Sequence, residues 1–451
     1  MVGLANNGDF GRMIKWGALN YVQDNNDDIY FNWVNREYKF VANPVTTNGF
    51  WLSSEIFFVK LAAAIGYLFV SDKIFDLRTL GLIHILAFLL SFWILMRGLS
   101  GGAKFSFLFF APWFVLLFCD LNYTIYFNSF YTEPATLIFL LASVGSALYL
   151  LKLKRGSIPM LALFGICASL LIAVKIQNII FAPAIAFFGL RLFQFDHSPL
   201  RRIILLASVA LVSTLSVSEY EMSPHVLKEA SKYNSVFYGA LMGSHDPRRD
   251  LIDLGVNEDY SALAGTNFHQ PGLPLDVKSR EFEAGFDSKI GFAKIFLFYL
   301  KRPGLFLEKI QQSVDRAYFP RPEYAGNFEK SSGEKQTGQS RRWNIWGQVK
   351  KYYFPKSVWF LAFCQIVTGS LIFIGWRKSE YTDQKLRWEL YFALWMTIPL
   401  ALITPLLGDG FSDFERHMFA FNILMDLSIL LILGHLTDFL AGKLFNHQGA
   451  E

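Results

Sequence analysis

Apolar runs of helical length, separated by short polar connections, set the pattern of this chain. Nine of them are candidates to cross a bilayer: residues 79–96, 105–119, 134–151, 158–174, 178–193, 203–218, 356–376, 388–407 and 417–437. Stretches such as LGLIHILAFLLSFWIL (80–95) and ATLIFLLASVGSALYLL (135–151) approach the roughly 20 apolar residues that span a hydrocarbon core. A tenth run, EIFFVKLAAAIGYLFV (55–70), is shorter and carries Lys60. It reads as a helix lying in the interface, with Lys60 snorkelling to water. Between 219 and 355 the long runs give way to mixed sequence. There DSKIGFAKIFLFYLKRPGLFLEKIQQSVDRAY (287–318) keeps helical spacing up to a break at Pro303. The following GNFEKSSGEKQTGQSRR (326–342) is polar and rich in Gly and Ser, and reads as a mobile loop. The pattern predicts an all-α polytopic membrane protein.

Composition strengthens that reading. The 451 residues are 53% hydrophobic and only 18% charged, where a soluble domain carries about 25% charge. The placement of the charges adds a topology, because cytoplasmic connections are rich in Lys and Arg. Four basic connections alternate with base-poor ones: Arg97 with Lys104; Lys152, Lys154 and Arg155; Arg191, Arg201 and Arg202; and Arg377, Lys378, Lys385 and Arg387. The basic loops are therefore expected on the cytoplasmic side, and 1–78, 120–133, 219–355 and 408–416 on the outer side. This divides the chain into a first outer loop with interfacial helices (1–78), six membrane helices (79–218), a large outer loop or helical subdomain (219–355), and three last membrane helices with a cytoplasmic tail (356–451). An outward segment of 78 residues needs a span ahead of it for translocation, so a further membrane helix is expected before Met1.

Absent motifs narrow the chemistry. The sequence holds no G-x-x-x-x-G-K-[ST], G-x-S-x-G, H-E-x-x-H or Cys-x-x-Cys, so ATP-driven transport, serine hydrolysis and structural zinc have no foothold. Cys119, Cys167 and Cys364 lie far apart in or beside apolar runs and read as packing residues. The spans carry little charge along their lengths, which disfavours a proton-coupled transporter. Polar chemistry gathers at the expected outer helix ends.

In LANNGDFGRM (4–13), Asp9 lies between Gly8 and Gly11, with Asn6 and Asn7 before it and Arg12 after. Glycines allow a tight, closely approachable turn, and a carboxylate presented there suits a general base. The plainer reading of the local string is that Asp9 caps a helix starting near Gly11. In NSFYTEP (128–134), Glu133 and Pro134 are either a site or an ordinary helix start. VKIQNIIFAP (174–183) puts Lys175 between two apolar runs, with Gln177 and Asn178 beside it; such a Lys can snorkel or meet a lipid phosphate. GDGFSDFERHMFAFN (408–422) gathers Asp409, Asp413, Glu415, Arg416 and His417, and Arg suits phosphate through its two-pronged guanidinium. SHDPRRD (244–250) and His269 read as ordinary solvated loop.

These strings together resemble the C-type polytopic membrane glycosyltransferases, which use polyprenyl-phosphate-linked sugars. LANNGDFGR, NSFYTEP and GDGFSDFERHMFAFN look most like the bacterial glycan-biosynthesis hexose transferases of the WsfD-like kind. The resemblance implies a helix bundle of that type with an outer-face helical subdomain, in the bacterial cytoplasmic membrane, with its active site on the extracytoplasmic face. It implies Asp9 as the catalytic base and Lys175, Arg416 and Arg12 as cations for the donor phosphate. Glu133, Asn7, His417 and Asp409 would orient the base or bind sugar and acceptor. The implied partners are the lipid-linked donor, a glycan or lipid-linked oligosaccharide acceptor and membrane lipids, with no nucleic acid. No cofactor is expected, since a monophosphate-linked donor needs no metal to neutralise a diphosphate, although some members of the superfamily use one. A lipid-linked glycan flippase and a polymerase or ligase of a surface polysaccharide are the competing functions.

Overall fold

The computed structural model describes residues 1–42, 53–99, 104–153 and 156–446, without the side chains of 104–108 and 435–446. Lys154 and Arg155, the Lys104 side chain and the end of the expected tail lie outside the described residues. Among those described, seven helices are long and apolar enough to cross a membrane: Arg78–Leu99, Glu133–Lys152, Ile176–Phe195, Pro199–Glu221, Val358–Lys378, Thr382–Asp409 and Phe414–Gly434. The molecule is an all-α polytopic membrane protein.

Two of the nine expected spans turn out differently. The run 105–119 forms the helix Lys104–Phe118 and then bends by 56° into Leu121–Asn128. Asp120 makes the break: its side chain accepts from Asn122 N at 3.0 Å and caps a new turn. Tyr123, Tyr126 and Phe127 then point inward and are buried, so the expected loop 120–133 is mostly packed structure. The run 158–174 yields Ile158–Ile172, only 15 residues, because the chain turns extended at Lys175 (φ −166°, ψ 154°). The 55–70 run is the helix Glu55–Phe69, also 15 residues. Lys60 on it stands 5.1 Å from the centre of the Trp16 ring.

The helix Glu133–Lys152 runs through the middle of the bundle and is buried along nearly its whole length. It packs closely on Arg78–Leu99 because both helices present glycine. A Cβ on Gly145 would lie 2.6 Å from Leu95 N, and one on Gly98 would lie 2.7 Å from Leu148 Cβ. Small residues at such crossings let helices approach where lipid offers no hydrophobic drive to associate.

The first 78 residues hold structure that the apolar pattern did not announce. Strands β1 (Leu19–Tyr21), β2 (Glu37–Phe40) and β3 (Ile74–Asp76) form an antiparallel sheet in that order. Its core-facing Tyr38 is fully buried and meets Phe130 edge-on at 5.0 Å. The 326–342 segment, expected to be a mobile loop, is tied to this region by backbone bonds. Gly3 N donates to Asn327 O (3.1 Å), Ala5 N to Gly326 O (2.9 Å) and Val34 N to Phe328 O (2.9 Å). The side chains of 330–336 face water, whereas Asn327 and Ser340 are buried and the backbone is held.

The helices between 225 and 317 close over one end of the bundle around a second apolar core, built on Tyr233, Phe237, Phe282, Phe286, Phe298 and Tyr299. The break at Pro303 is as expected: Phe292–Leu300 ends, and Pro303 opens Pro303–Ala317.

Candidate functional site

Asparagines build the turn that carries Asp9. Asn6 Oδ1 accepts from Gly8 N (2.8 Å) and Phe10 N (3.2 Å), and Asn7 Oδ1 accepts from Asp9 N (3.2 Å). Gly8 adopts φ +111°, a conformation that disfavours any side chain. The short helix Gly11–Ile14 follows without a side-chain cap. Asp9 instead directs its carboxylate to two arginines, Arg12 at 3.0 Å and Arg416 at 2.5 Å. Burial alone would raise its pKa. The Arg12 and Arg416 charges outweigh burial and hold the carboxyl far below the usual range.

Arg416 is the hub. Its side chain is 11% exposed, pairs with Asp9 and Asp413, and lies 4.8 Å over the Tyr131 ring. Asp413 is placed by a left-handed backbone (φ 45°, ψ 35°). It also accepts from Asn7 Nδ2 at 3.1 Å and from the Tyr324 hydroxyl. Tyr131 donates to Ala5 O (2.9 Å) and accepts from Asn7 N (3.0 Å), which locks the Asp9 turn to the start of the Glu133 helix.

A second ion pair lies beside the first. Lys175, at the break between two helices, meets Glu133 Oε1 at 2.8 Å, with side chains 12% and 1% exposed. Glu133 Oε2 has no hydrogen-bond partner among the described residues. An unpaired acceptor of this kind is unusual for a buried carboxylate. Gln177 Nε2 donates to the His417 carbonyl (2.7 Å), His417 Nε2 lies 3.4 Å from Asp409, and Asn234 Nδ2 donates to Asp409 (2.9 Å).

These groups share one cavity of about 510 Å³. Asp9, Arg12, Glu133, Lys175, Gln177, Asp409, Arg416 and His417 line it, together with apolar side chains that include Leu227, Phe292, Phe296 and Leu407. Of the residues singled out from sequence, Asn7, Asn178, Asp413 and Glu415 do not line it, although Asn7 and Asp413 support the wall through their bonds to each other and to Arg416. SHDPRRD lies elsewhere, with Asp246 capping Pro247–Asp253 and Asp250 paired with Arg302; His269 is exposed and does not line the cavity, but it stands near enough to feel the charges of Asp409, Asp9 and Arg12.

Sequence reasoning did not single out Tyr131, Tyr324 or the Glu55–His84 pair. His84 Nε2 lies 2.8 Å from Glu55 Oε1, and Nδ1 lies 2.9 Å from Phe127 O, all buried. A carbonyl only accepts, so Nδ1 carries a proton. The contact with Glu55 then needs one more proton, on Nε2 or on the carboxyl. The only sequence signal was a Glu opening an apolar helix.

The fold and this cavity define a polytopic membrane protein whose charged groups converge at one end of its helix bundle. The chain belongs to the YfdI N-terminal transmembrane domain family, which matches residues 1–449. No curated protein and no solved structure matches it.

Proposed function

We propose that the protein is a membrane glycosyltransferase that moves a sugar, a hexose by resemblance, from a polyprenyl-phosphate donor to a glycan acceptor at the outer face of the bacterial cytoplasmic membrane. The observation that carries this reading is the cavity itself, which brings three carboxylates (Asp9, Glu133, Asp409) and three cations (Arg12, Lys175, Arg416) together with apolar side chains such as Leu227, Phe292, Phe296 and Leu407. A charged sugar phosphate with a lipid tail combines both characters.

In the proposed reaction an acceptor hydroxyl oxygen attacks the anomeric carbon and its proton passes to the Asp9 carboxylate. The bond from that carbon to the phosphate oxygen breaks, and its electron pair leaves on polyprenyl phosphate. Arg416 and Lys175, with Arg12, meet the growing charge on that phosphate. Glu133, with its open oxygen, and Asp409 with His417 accept from or donate to sugar hydroxyls, while Asn7 holds the Asp9 turn. The resting pairs give the sequence of events a logic. Clamped by two arginines, Asp9 is a poor base. A donor phosphate that draws Arg416 toward itself restores its basicity, so donor binding arms the base.

The test is Asp9→Asn in a deletion strain, with membrane protein level and cell-surface glycan both measured. Normal protein with a glycan lacking a sugar supports the reading. Normal protein with an unchanged glycan overturns it in favour of a flippase or a polymerase.

A further inference from the structure

The helix Phe292–Leu300 is apolar on both of its faces. Ile295, Phe298 and Tyr299 are buried in the second core. The opposite side presents Ala293, Phe296, Leu297 and Leu300, all exposed and spaced i, i+3, i+4, i+7 as one helical stripe. Leu297 and Leu300 are each 53% exposed. Lys294, the one charged residue of the helix, turns back and donates to Lys289 O at 3.1 Å. A helix that is apolar all round is ordinarily covered on every side, and a continuous apolar stripe left open marks an interaction surface. The helix has nine residues, about 14 Å at 1.5 Å per residue, too short to cross a hydrocarbon core of about 30 Å.

Its place in the fold says what covers the stripe. The helix packs against Thr382–Asp409, and Phe296 lines the cavity together with Thr404 and Leu407 of that span and Tyr220 of Pro199–Glu221. Thr404 stands five positions before the last residue of its span, Asp409, and Tyr220 one before Glu221. The helix therefore meets the spans within about 8 Å of their ends, at 1.5 Å per residue. Interfacial helices bury their apolar face to that depth, roughly 5–10 Å. Tyr220 and Phe296 are both exposed as well as cavity-lining, so the stripe adjoins the lipid-facing surface of Pro199–Glu221. Exposed lysines, Lys289 and Lys301, bracket the helix. Such side chains lay their stems along apolar surface and set their charge among anionic headgroups.

We propose that Phe292–Leu300 is a membrane-seated helix, its outward stripe among the acyl chains of the leaflet on the cavity's side and Lys289 and Lys301 at the headgroups. The partner is the lipid surface; the depth of the helix favours it over a protein. The assignment stands whether or not the protein is a transferase. Its consequence is that the cavity's apolar rim at Phe296 and Tyr220 opens beside the bilayer, so a lipid-tailed ligand enters with its chain still in lipid.

The experiment uses the full chain with its three native cysteines replaced, one molecule per nanodisc of phosphatidylcholine and phosphatidylglycerol. Leu297→Cys and Leu300→Cys carry a polarity-sensitive fluorophore, and Glu258→Cys, at an exposed position, is the reference for water. A nitroxide on the lipid acyl chain and iodide in the buffer serve as quenchers. The expected result is that the probes at 297 and 300 lose most of their fluorescence to the nitroxide and little to iodide, while the probe at 258 does the reverse. Both leucines point away from the core, so the labelled protein should elute and melt as its parent does. Quenching by iodide as strong as at 258, with no effect of the nitroxide, would overturn the proposal and leave the stripe as a docking face for protein. Shielding from both quenchers would also overturn it, because packed protein then covers the stripe. Neither readout involves sugar transfer, so failure of the Asp9→Asn test leaves this result standing.

Discussion

Arg416 holds two carboxylates at once, and this makes its geometry as important as its charge. Lysine keeps the charge but is a single point donor without a planar fork. Arg416→Lys is therefore expected to reach the membrane at normal level and to lose about 100-fold or more in transfer rate, as losses of one electrostatic contact to a transition state do. Near-normal turnover in that variant would remove Arg416 from the phosphate site. Acidity tests the resting pair. Asp9 has a folded pKa below its ordinary 3.8, so the pair stabilises the fold fully above that value and loses this contribution as pH falls through the folded one. The gap in melting temperature between wild type and Asp9→Asn should stay constant from about pH 8 to 5 and shrink only below about 4. A gap that closes near neutrality would mean that Asp9 is not held by its arginines. Most of these residues could be picked out one by one in the sequence, because a charge at an apolar helix end is conspicuous. Their partnerships could not. Glu133 and Lys175 stand 42 positions apart and Asp9 and Arg416 stand 407 apart, and nothing local in either string names its mate. Tyr324 sits in a polar loop with no pattern to mark it.

At the scale of elements, glycine decides how closely helices and turns approach. Gly145 and Gly98 face each other's helices at contact distance, so Gly145→Leu would force the Glu133 and Arg78 helices apart. Overpacking of this kind costs about 1–3 kcal/mol or more. The expected outcome is a lowered melting temperature together with weakened activity, since the Glu133 helix positions Glu133 itself. A variant as stable as wild type would show that the crossing has slack. Gly410, after the Thr382–Asp409 helix, has φ +59° and would place a Cβ 2.3 Å from Asn234 O. Gly410→Ala should disturb the loop that sets Asp409 and Asp413 before it disturbs the bundle. The periodicity of the sequence was a good guide to where helices lie. It also placed the stops before Asp120 and Lys175 within two residues, since the helices end at Phe118 and Ile172; what hydropathy did not register is the side-chain cap and the ion pair that follow them. The small sheet escaped for a related reason: its three strands have three or four residues each, too few for an alternation to stand out.

For the whole molecule, the question is which side of the membrane the cavity faces. Its walls come from the end of the Pro199–Glu221 helix, from helices between 225 and 300, and from the loop after Asp409, so it lies at the same end of the bundle as the large 219–355 segment. The chain then crosses once, through Val358–Lys378, before reaching the basic turn at 377–387. Residues on the two sides of that single crossing must face opposite compartments. Glu258 and Glu380 are both exposed and lie on either side of it. In a background with the three native cysteines replaced, Glu258→Cys should react in intact cells with a maleimide that cannot cross the membrane, while Glu380→Cys should react only after lysis. This follows from the Lys and Arg bias of the turn. The reverse pattern would put the cavity on the cytoplasmic side and sink an outer-face transferase whatever Asp9→Asn does. Labelling of both residues in intact cells would mean that Val358–Lys378 does not span, and the charge argument would fail with it.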